Sequence, residues 1–204
     1  MIKDRFLELL NRYSEDLSYN LKCWDQLFKN YNHRSRHYHN IKHLEDMLLL
    51  LLEVEQHIEN KDAILFSIFY HDIIYKVTRK NNEYKSAQIF RDHIAPTKFK
   101  YVDNSFDQIL ATKHHEWSEH NDTNILLDLD LHVLGKSPED YETYTENIRK
   151  EYSIYPNFLY QKGRIQVLKS FLDKEQLFKT PHFKEKYESQ AKTNLKAELK
   201  KLSK

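Results

Sequence analysis

Glycine and proline are nearly absent from this chain: its 204 residues include only two glycines and four prolines. Sheet proteins join many short strands through tight turns, and such turns depend on glycine, proline and Asn-Gly pairs. The sequence contains no Asn-Gly, Asp-Gly or Gly-Gly pair. Few turns imply few, long elements, so the chain is predicted to be all-α, with about eight to ten helices.

Length and charge narrow the class of protein further. A chain of 204 residues predicts one domain spanning residues 1–204, and a lone cysteine, Cys23, excludes a disulfide framework. Lys and Arg total 32 against 31 Asp and Glu, so no duplex nucleic acid partner is expected. The longest apolar run, Met47 to Leu52, is far below the ~20 residues of a membrane span. Without a signal-peptide pattern, we expect a cytoplasmic protein with no membrane partner.

Local signals predict where several helices begin and end. Asn40 and Ser137 are predicted N-caps, Thr180-Pro181 repeats the Ser137-Pro138 start signal, and Gly135 is predicted to end a helix in the left-handed conformation. The stretch TNILLDLDLHVLG also alternates like a strand, but we predict a helix because no partner strand is evident. Spacings of three and four predict one buried stripe near the amino terminus: Leu17, Leu21, Trp24, Leu27, Phe28 and Tyr31.

A His-Asp pair, His71-Asp72, ends an otherwise apolar stretch, ILFSIFY. Burying an imidazole beside a carboxylate costs several kcal/mol unless the two are paired or bound to a cation. The pair alone fits either a local hydrogen bond at the end of a core helix or a metal site.

Other segments place similar groups at positions predicted to be buried. His43 falls in the first turn of an apolar helix, and Asp128 and Asp130 lie among five leucines. A divalent cation is the simplest compensator for such charges. Mixed imidazole and carboxylate ligands suit manganese, iron, cobalt, nickel or zinc better than calcium, and magnesium is a further candidate.

The order of these motifs resembles the HD superfamily of metal-dependent phosphohydrolases, named for its adjacent His-Asp. A bacterial branch, the predicted HD-superfamily metal-dependent phosphohydrolases, is similar over about residues 24–202 in six ordered segments: RHYHNIKH, FYHDIIY, NNEYKSA, LDLDLHVLG, IRKEY and KTNLKAEL. The resemblance implies a single compact helical domain of the phosphodiesterase-like type. It also implies a metal bound by His43, His71, Asp72 and Asp130, since it favours the aspartate directly before LHVLG over Asp128.

Further site residues are predicted around this centre. The segment YHNIKH is similar to the YHNxxH segment of cyclic-nucleotide phosphodiesterases, which implies that His39 is a general acid. Glu83 is near enough in sequence to orient a water or bind a second metal, although a helix-start acid is an equal alternative. A second metal or a phosphate has these candidate contacts: Arg36, Lys113, His114 and Arg149.

The predicted function is hydrolysis of a phosphate ester or anhydride by metal-activated water. The substrate expected is a small phosphorylated metabolite, nucleotide-like in character. Two alternatives stay open: a di-iron oxygenase of HD type, with extra ligands from His114, His115 or His132, and a non-catalytic module that binds metal or nucleotide.

Overall fold

The computed structural model describes residues 2–203, and every regular element in that range is helical, which confirms the all-α prediction. The chain divides into two compact units, with the division between Leu126 and Leu127. That the two units form one domain stays a prediction. The α-helices are α1 (Ile2–Asn11), α2 (Leu17–Tyr31), α3 (Ile41–Leu51), α4 (Lys61–Tyr70), α5 (Asn82–Ile94), α6 (Val102–Ala111), α7 (Asn121–Leu131), α8 (Pro138–Glu151), α9 (Asn157–Leu172) and α10 (Pro181–Leu202). Two 3₁₀ helices cover Leu52–His57 and His132–Gly135.

Helix α4 is the centre of the first unit and packs against α1, α3, α5 and α6. Every side chain from Ala63 to Tyr70 is buried, as expected of a helix that is apolar around its whole circumference. The N-terminus of α4 is held twice. The Asn60 side chain accepts the N–H of Ala63, and the Asp122 carboxylate accepts the N–H groups of Glu59 and Asn60 at 2.8 and 2.7 Å. The His-Asp pair follows directly at the other end of this helix.

The stripe predicted on α2 is wrong in part. Leu17, Leu21 and Phe28 are 62, 41 and 46 % exposed. The buried residues of α2 are Asn20, Cys23, Trp24, Leu27 and Tyr31. Asn20 can be buried because its amide donates to the Asn11 side chain and to the Ser14 carbonyl.

In the second unit, α10 packs against α9 and against the 3₁₀ helix His132–Gly135. The prediction that Gly135 ends a helix in the left-handed conformation is wrong, because no glycine in the described range has a positive φ. Glycine is needed at position 135 for close packing instead. A Cβ on this residue would lie 2.5 Å from the Cβ of Tyr187 and 2.6 Å from its carbonyl oxygen. The lack of a side chain at Gly135 therefore allows α10 to pack closely against this 3₁₀ helix.

Two carboxylates hold the chain just before α10. Glu188 accepts the backbone N–H groups of residues 177 and 178 at 3.0 Å, and Lys192 lies 3.1 Å from the same carboxylate. Asp128 accepts the N–H groups of residues 179 and 180, each at 2.8 Å. Four consecutive backbone donors are thus satisfied by two acidic side chains. No helix in the described range is both long enough and apolar enough to cross a membrane.

Candidate metal centre

The His-Asp pair lies at the point where α4 ends. The N–H of His71 still bonds to the Ser67 carbonyl at 2.8 Å, as in a helix. The N–H of Asp72 leaves the helical ladder and donates to the Tyr31 hydroxyl at 3.1 Å. His71 is 1 % exposed. The pair therefore consists of a fully buried imidazole and the first residue whose N–H no longer makes a helical hydrogen bond.

A neighbouring carbonyl defines the role of one nitrogen of the His71 ring. Its Nδ1 lies 2.9 Å from the carbonyl oxygen of Ile68. A carbonyl can only accept a hydrogen bond, so Nδ1 carries the proton and donates. The Nε2 of the neutral ring therefore has a lone pair, as a metal-binding imidazole requires.

His43 supplies the second imidazole from the first turn of α3, which begins where the Asn40 side chain accepts the N–H of Lys42 at 2.9 Å. The predicted N-cap is confirmed, and so is the burial of His43, which is 2 % exposed. The Nε2 atoms of His43 and His71 lie 3.3 Å apart. Depending on the His43 tautomer, these atoms share a proton or present two lone pairs to one cation.

Asp72 completes the cluster. Its Oδ2 lies 3.4 Å from the His71 Nε2, and its side chain is 13 % exposed. The three candidate ligand atoms, from His43, His71 and Asp72, all lie within 4.8 Å of one another. Two donors bound to one transition metal at about 2.1 Å lie roughly 3.0–3.4 Å apart at bond angles of about 90–110°. The separations of 3.3 Å between His43 and His71 and 3.4 Å between His71 and Asp72 lie within or at the edge of this range.

His39 borders this cluster. Its Nε2 lies 3.9 Å from the Asp72 Oδ2, and its ring stacks on Tyr75 with centroids 4.0 Å apart and planes at 24°. The His39 side chain is 18 % exposed. The His39 ring is therefore held against an aromatic face and beside the Asp72 carboxylate, and it stays partly exposed.

Asp128 and Asp130, which the residue pattern alone could not separate, differ in burial. Asp128 is fully buried and accepts three hydrogen bonds at 2.8 Å, from the N–H of Lys179 and from the N–H and hydroxyl of Thr180. Burial raises the pKa of Asp128 above its usual value, although these hydrogen bonds oppose the shift. Two backbone donors and one hydroxyl therefore offset part of the Asp128 charge, which the sequence did not reveal. Asp130 is half-buried in the last turn of α7, and its role as a ligand stays a prediction.

The remaining candidates are not members of the group formed by His43, His71 and Asp72. Glu83 is half-buried in the first turn of α5, and Lys113 and His114 are exposed just after α6. In the second unit, Arg149 donates to the carbonyls of Tyr152 and Tyr155 and to the Asn157 side chain, at 2.9, 3.1 and 2.6 Å. Arg149 thereby provides hydrogen-bond donors to backbone carbonyls just after the end of α8.

Arg36 and Tyr31 have roles that the sequence did not reveal. Arg36 is buried, and its guanidinium donates to backbone carbonyls next to the His-Asp pair. Tyr31, predicted only as part of the apolar stripe, also accepts the N–H of Asp72. The one signal that could have identified Arg36 is its position three residues before His39, inside the same segment.

Comparison with known proteins identifies no relative: no protein-family model, no curated protein and no solved structure matches this chain.

Proposed function

We propose that this protein is a metal-dependent phosphohydrolase whose metal is held by His43, His71 and Asp72. The observation that carries the proposal is the convergence of three ligand atoms within 4.8 Å of one another, two of them from fully buried imidazoles. The ring of His71 has its lone pair on the atom that faces the cluster, because its other nitrogen donates to the Ile68 carbonyl. Asp130 is the fourth ligand by the resemblance of its LDLDLHVLG segment.

The donor set favours a transition metal. Two imidazole nitrogens with carboxylate oxygens suit manganese, iron, cobalt, nickel or zinc, and magnesium remains a candidate for activity. Such an ion, when bound, supplies a water of lowered pKa and neutralises charge on phosphoryl oxygens. The carboxylate of Asp72 lies next to both His71 and His39, so the same side chain can serve as a ligand and orient the neighbouring histidine.

His39 is the proton donor in this proposal. In its protonated form, His39 carries a proton on Nε2 and can deliver it to the leaving oxygen, a step worth typically about 10²–10⁴-fold in rate. The stacking contact with Tyr75 fixes the plane of the ring, and the Nε2 of His39 lies 3.9 Å from the Asp72 Oδ2. The substrate class, a nucleotide-like phosphate ester or anhydride, rests on the resemblance to the phosphohydrolases.

The test combines metal content with turnover. The chelator-treated protein is loaded separately with Mn²⁺, Co²⁺, Ni²⁺, Zn²⁺ or Mg²⁺, and bound metal is measured by elemental analysis after gel filtration. Each form is then assayed against p-nitrophenyl phosphate, bis-p-nitrophenyl phosphate and nucleoside mono-, di- and triphosphates. We expect at least one bound ion per chain and hydrolysis that chelator abolishes.

Variants tie the activity to the cluster. His43→Ala and His71→Ala should lose metal and hydrolysis together, whereas His57→Ala should lose neither, because His57 is an exposed histidine of the same unit. His39→Ala should keep its metal and lose turnover. A metal-loaded protein that hydrolyses nothing supports the binding-module alternative, and bound iron with O₂ consumption supports the oxygenase. Full activity of His43→Ala would refute the proposal.

A further inference from the structure

Arg36 is a buried arginine inside a polar segment. It is 8 % exposed, although its neighbours from Asn32 to Ser35 are all exposed. Burying a guanidinium costs several kcal/mol unless its N–H groups find acceptors. Within the described residues, Arg36 makes no ion pair, so its acceptors must be sought among neutral groups.

Those acceptors are three backbone carbonyls from two separate segments. The Nη1 of Arg36 donates to the carbonyl oxygen of Asp72 at 2.6 Å and to that of His39 at 3.0 Å. Its Nη2 donates to the carbonyl oxygen of Ile73 at 2.9 Å. One rigid, planar group therefore fixes the backbone on the C-terminal side of the His-Asp pair and ties it to the segment that carries His39.

The same guanidinium contacts two tyrosines that touch the site. It lies 4.9 Å from the ring centroid of Tyr31 and 5.8 Å from that of Tyr75. Tyr31 accepts the N–H of Asp72, and Tyr75 stacks on His39. The peptide groups on both sides of Asp72 are thus held, the N–H by Tyr31 and the carbonyl by Arg36.

We propose that Arg36, with Tyr31, is a positioning residue that aims the Asp72 carboxylate and the His39 ring at the metal centre. This inference rests on the proposed function, in which Asp72 is a ligand and His39 a proton donor. It assigns Arg36 to the backbone around the site instead of to a substrate phosphate. Partners that orient ligands typically change metal affinity by about 10–100-fold when they are replaced.

The test uses Arg36→Lys, which keeps the positive charge but replaces the planar fork with a single ammonium. Arg34→Lys is the matched control, because Arg34 is exposed in the same segment. We expect Arg36→Lys to weaken Co²⁺ binding by about 10–100-fold and to shift the visible absorption bands of the bound Co²⁺, while Arg34→Lys changes neither. A loss of packing alone would lower the melting temperature without moving these bands. Wild-type affinity and an unchanged Co²⁺ spectrum in Arg36→Lys would overturn the inference.

A metal-free readout separates this inference from the proposed function. In the chelated protein, the imidazole ring signals of His39 and His71 in ¹H–¹⁵N NMR spectra should move in Arg36→Lys and stay in place in Arg34→Lys. Unchanged ring signals overturn the role of Arg36 even if the wild type binds metal. A wild type that binds none of Mn²⁺, Co²⁺, Ni²⁺, Zn²⁺ and Mg²⁺ overturns the proposed function, whether or not the ring signals move in Arg36→Lys. Tyr31→Phe removes one hydroxyl and serves if Arg36→Lys does not fold. It should move the His71 signals and weaken Co²⁺ binding by about fivefold, and unchanged signals there would also overturn the inference.

Discussion

Asp128→Ala should destabilise the protein strongly without removing its metal. The side chain is fully buried and accepts three hydrogen bonds at 2.8 Å, two from backbone N–H groups and one from the Thr180 hydroxyl. Alanine would leave these three donors inside the protein without their acceptor. A buried donor left without a partner costs about 1–3 kcal/mol.

The net cost must also include the relief of a buried charge. Burial raises the pKa of Asp128, which means that folding disfavours its ionised form. A raised folded-state pKa contributes stability below the unfolded pKa and loses that contribution as pH rises through the folded value. At neutral pH the charge itself is therefore unfavourable, and the hydrogen bonds offset it. We take the low end for each donor and expect a loss of about 3 kcal/mol, or roughly 6–12 °C in melting temperature for a chain of this size.

Thermal melts in the presence of chelator measure this loss without interference from metal. Asp130→Ala is the matched control, two residues along the same helix, and its chelated form should melt within about 2–4 °C of the wild type, the shift expected for 1 kcal/mol. Under the proposed function, Asp130→Ala loses metal and Asp128→Ala keeps it. If chelated Asp128→Ala has the same melting temperature as the chelated wild type, the three hydrogen bonds do not anchor the start of α10. If Asp128→Ala also loses metal while Asp130→Ala keeps it, the ligand assignment within LDLDL must be reversed.

Other substitutions test the second unit and the metal centre. Gly135→Ala should cost about 1–3 kcal/mol in a chemical denaturation, because the new Cβ would lie 2.5 Å from that of Tyr187; Gly163→Ala, with open space at its Cβ, should gain about 0.5–1 kcal/mol. Partial burial raises the pKa of Glu188, but two backbone N–H donors and a lysine outweigh it and hold the pKa below its usual value. The stability from Glu188 is thus present above its unfolded pKa and lost as pH falls through the folded value, so the stability difference between wild type and Glu188→Gln should shrink from pH 7 to pH 3. Asp72→Ala should lose metal and hydrolysis together, yet its chelated form should still fold and melt cooperatively, because the apolar core of this unit does not depend on one ion.

Helix α2 shows why the spacing of apolar residues predicted a helix but not which face of that helix is buried. Successive residues rotate by about 100° on a helix, so apolar residues at spacings of three and four can belong to overlapping arcs. The structure buries the arc that contains Asn20 and exposes Leu17 and Leu21. Asn20 belongs to the interior because α1 and the following turn supply an acceptor for each of its amide hydrogens. A polar residue whose amide hydrogens are accepted by the preceding segment has no signature in its own helix.

In the candidate site, too, some features could be predicted from the sequence and others could not. The burial of His43 and His71 could be predicted because their neighbours are apolar and their helices have clear start and stop signals. The role of Asp128 could not, since its partners are backbone N–H groups about fifty residues away, and every residue except proline carries such a group. For Arg36, the sequence suggested a phosphate as the partner, but the guanidinium donates to three backbone carbonyls. Backbone partners are the part of a site that residue types do not encode.

The end of α4 connects the fold to the proposed chemistry. A continuing helix would bond the N–H of Asp72 to the carbonyl of Ile68, four residues earlier. Here that N–H donates to Tyr31, so the Ile68 carbonyl is left for the ring of His71. One break in the helical ladder therefore frees Asp72 to turn toward the cluster and supplies the hydrogen bond that keeps the His71 lone pair on Nε2. It follows that removing the Tyr31 hydroxyl favours one more residue of helix. That change would return the Asp72 N–H to Ile68 and displace the His71 ring, although neither ligand is altered.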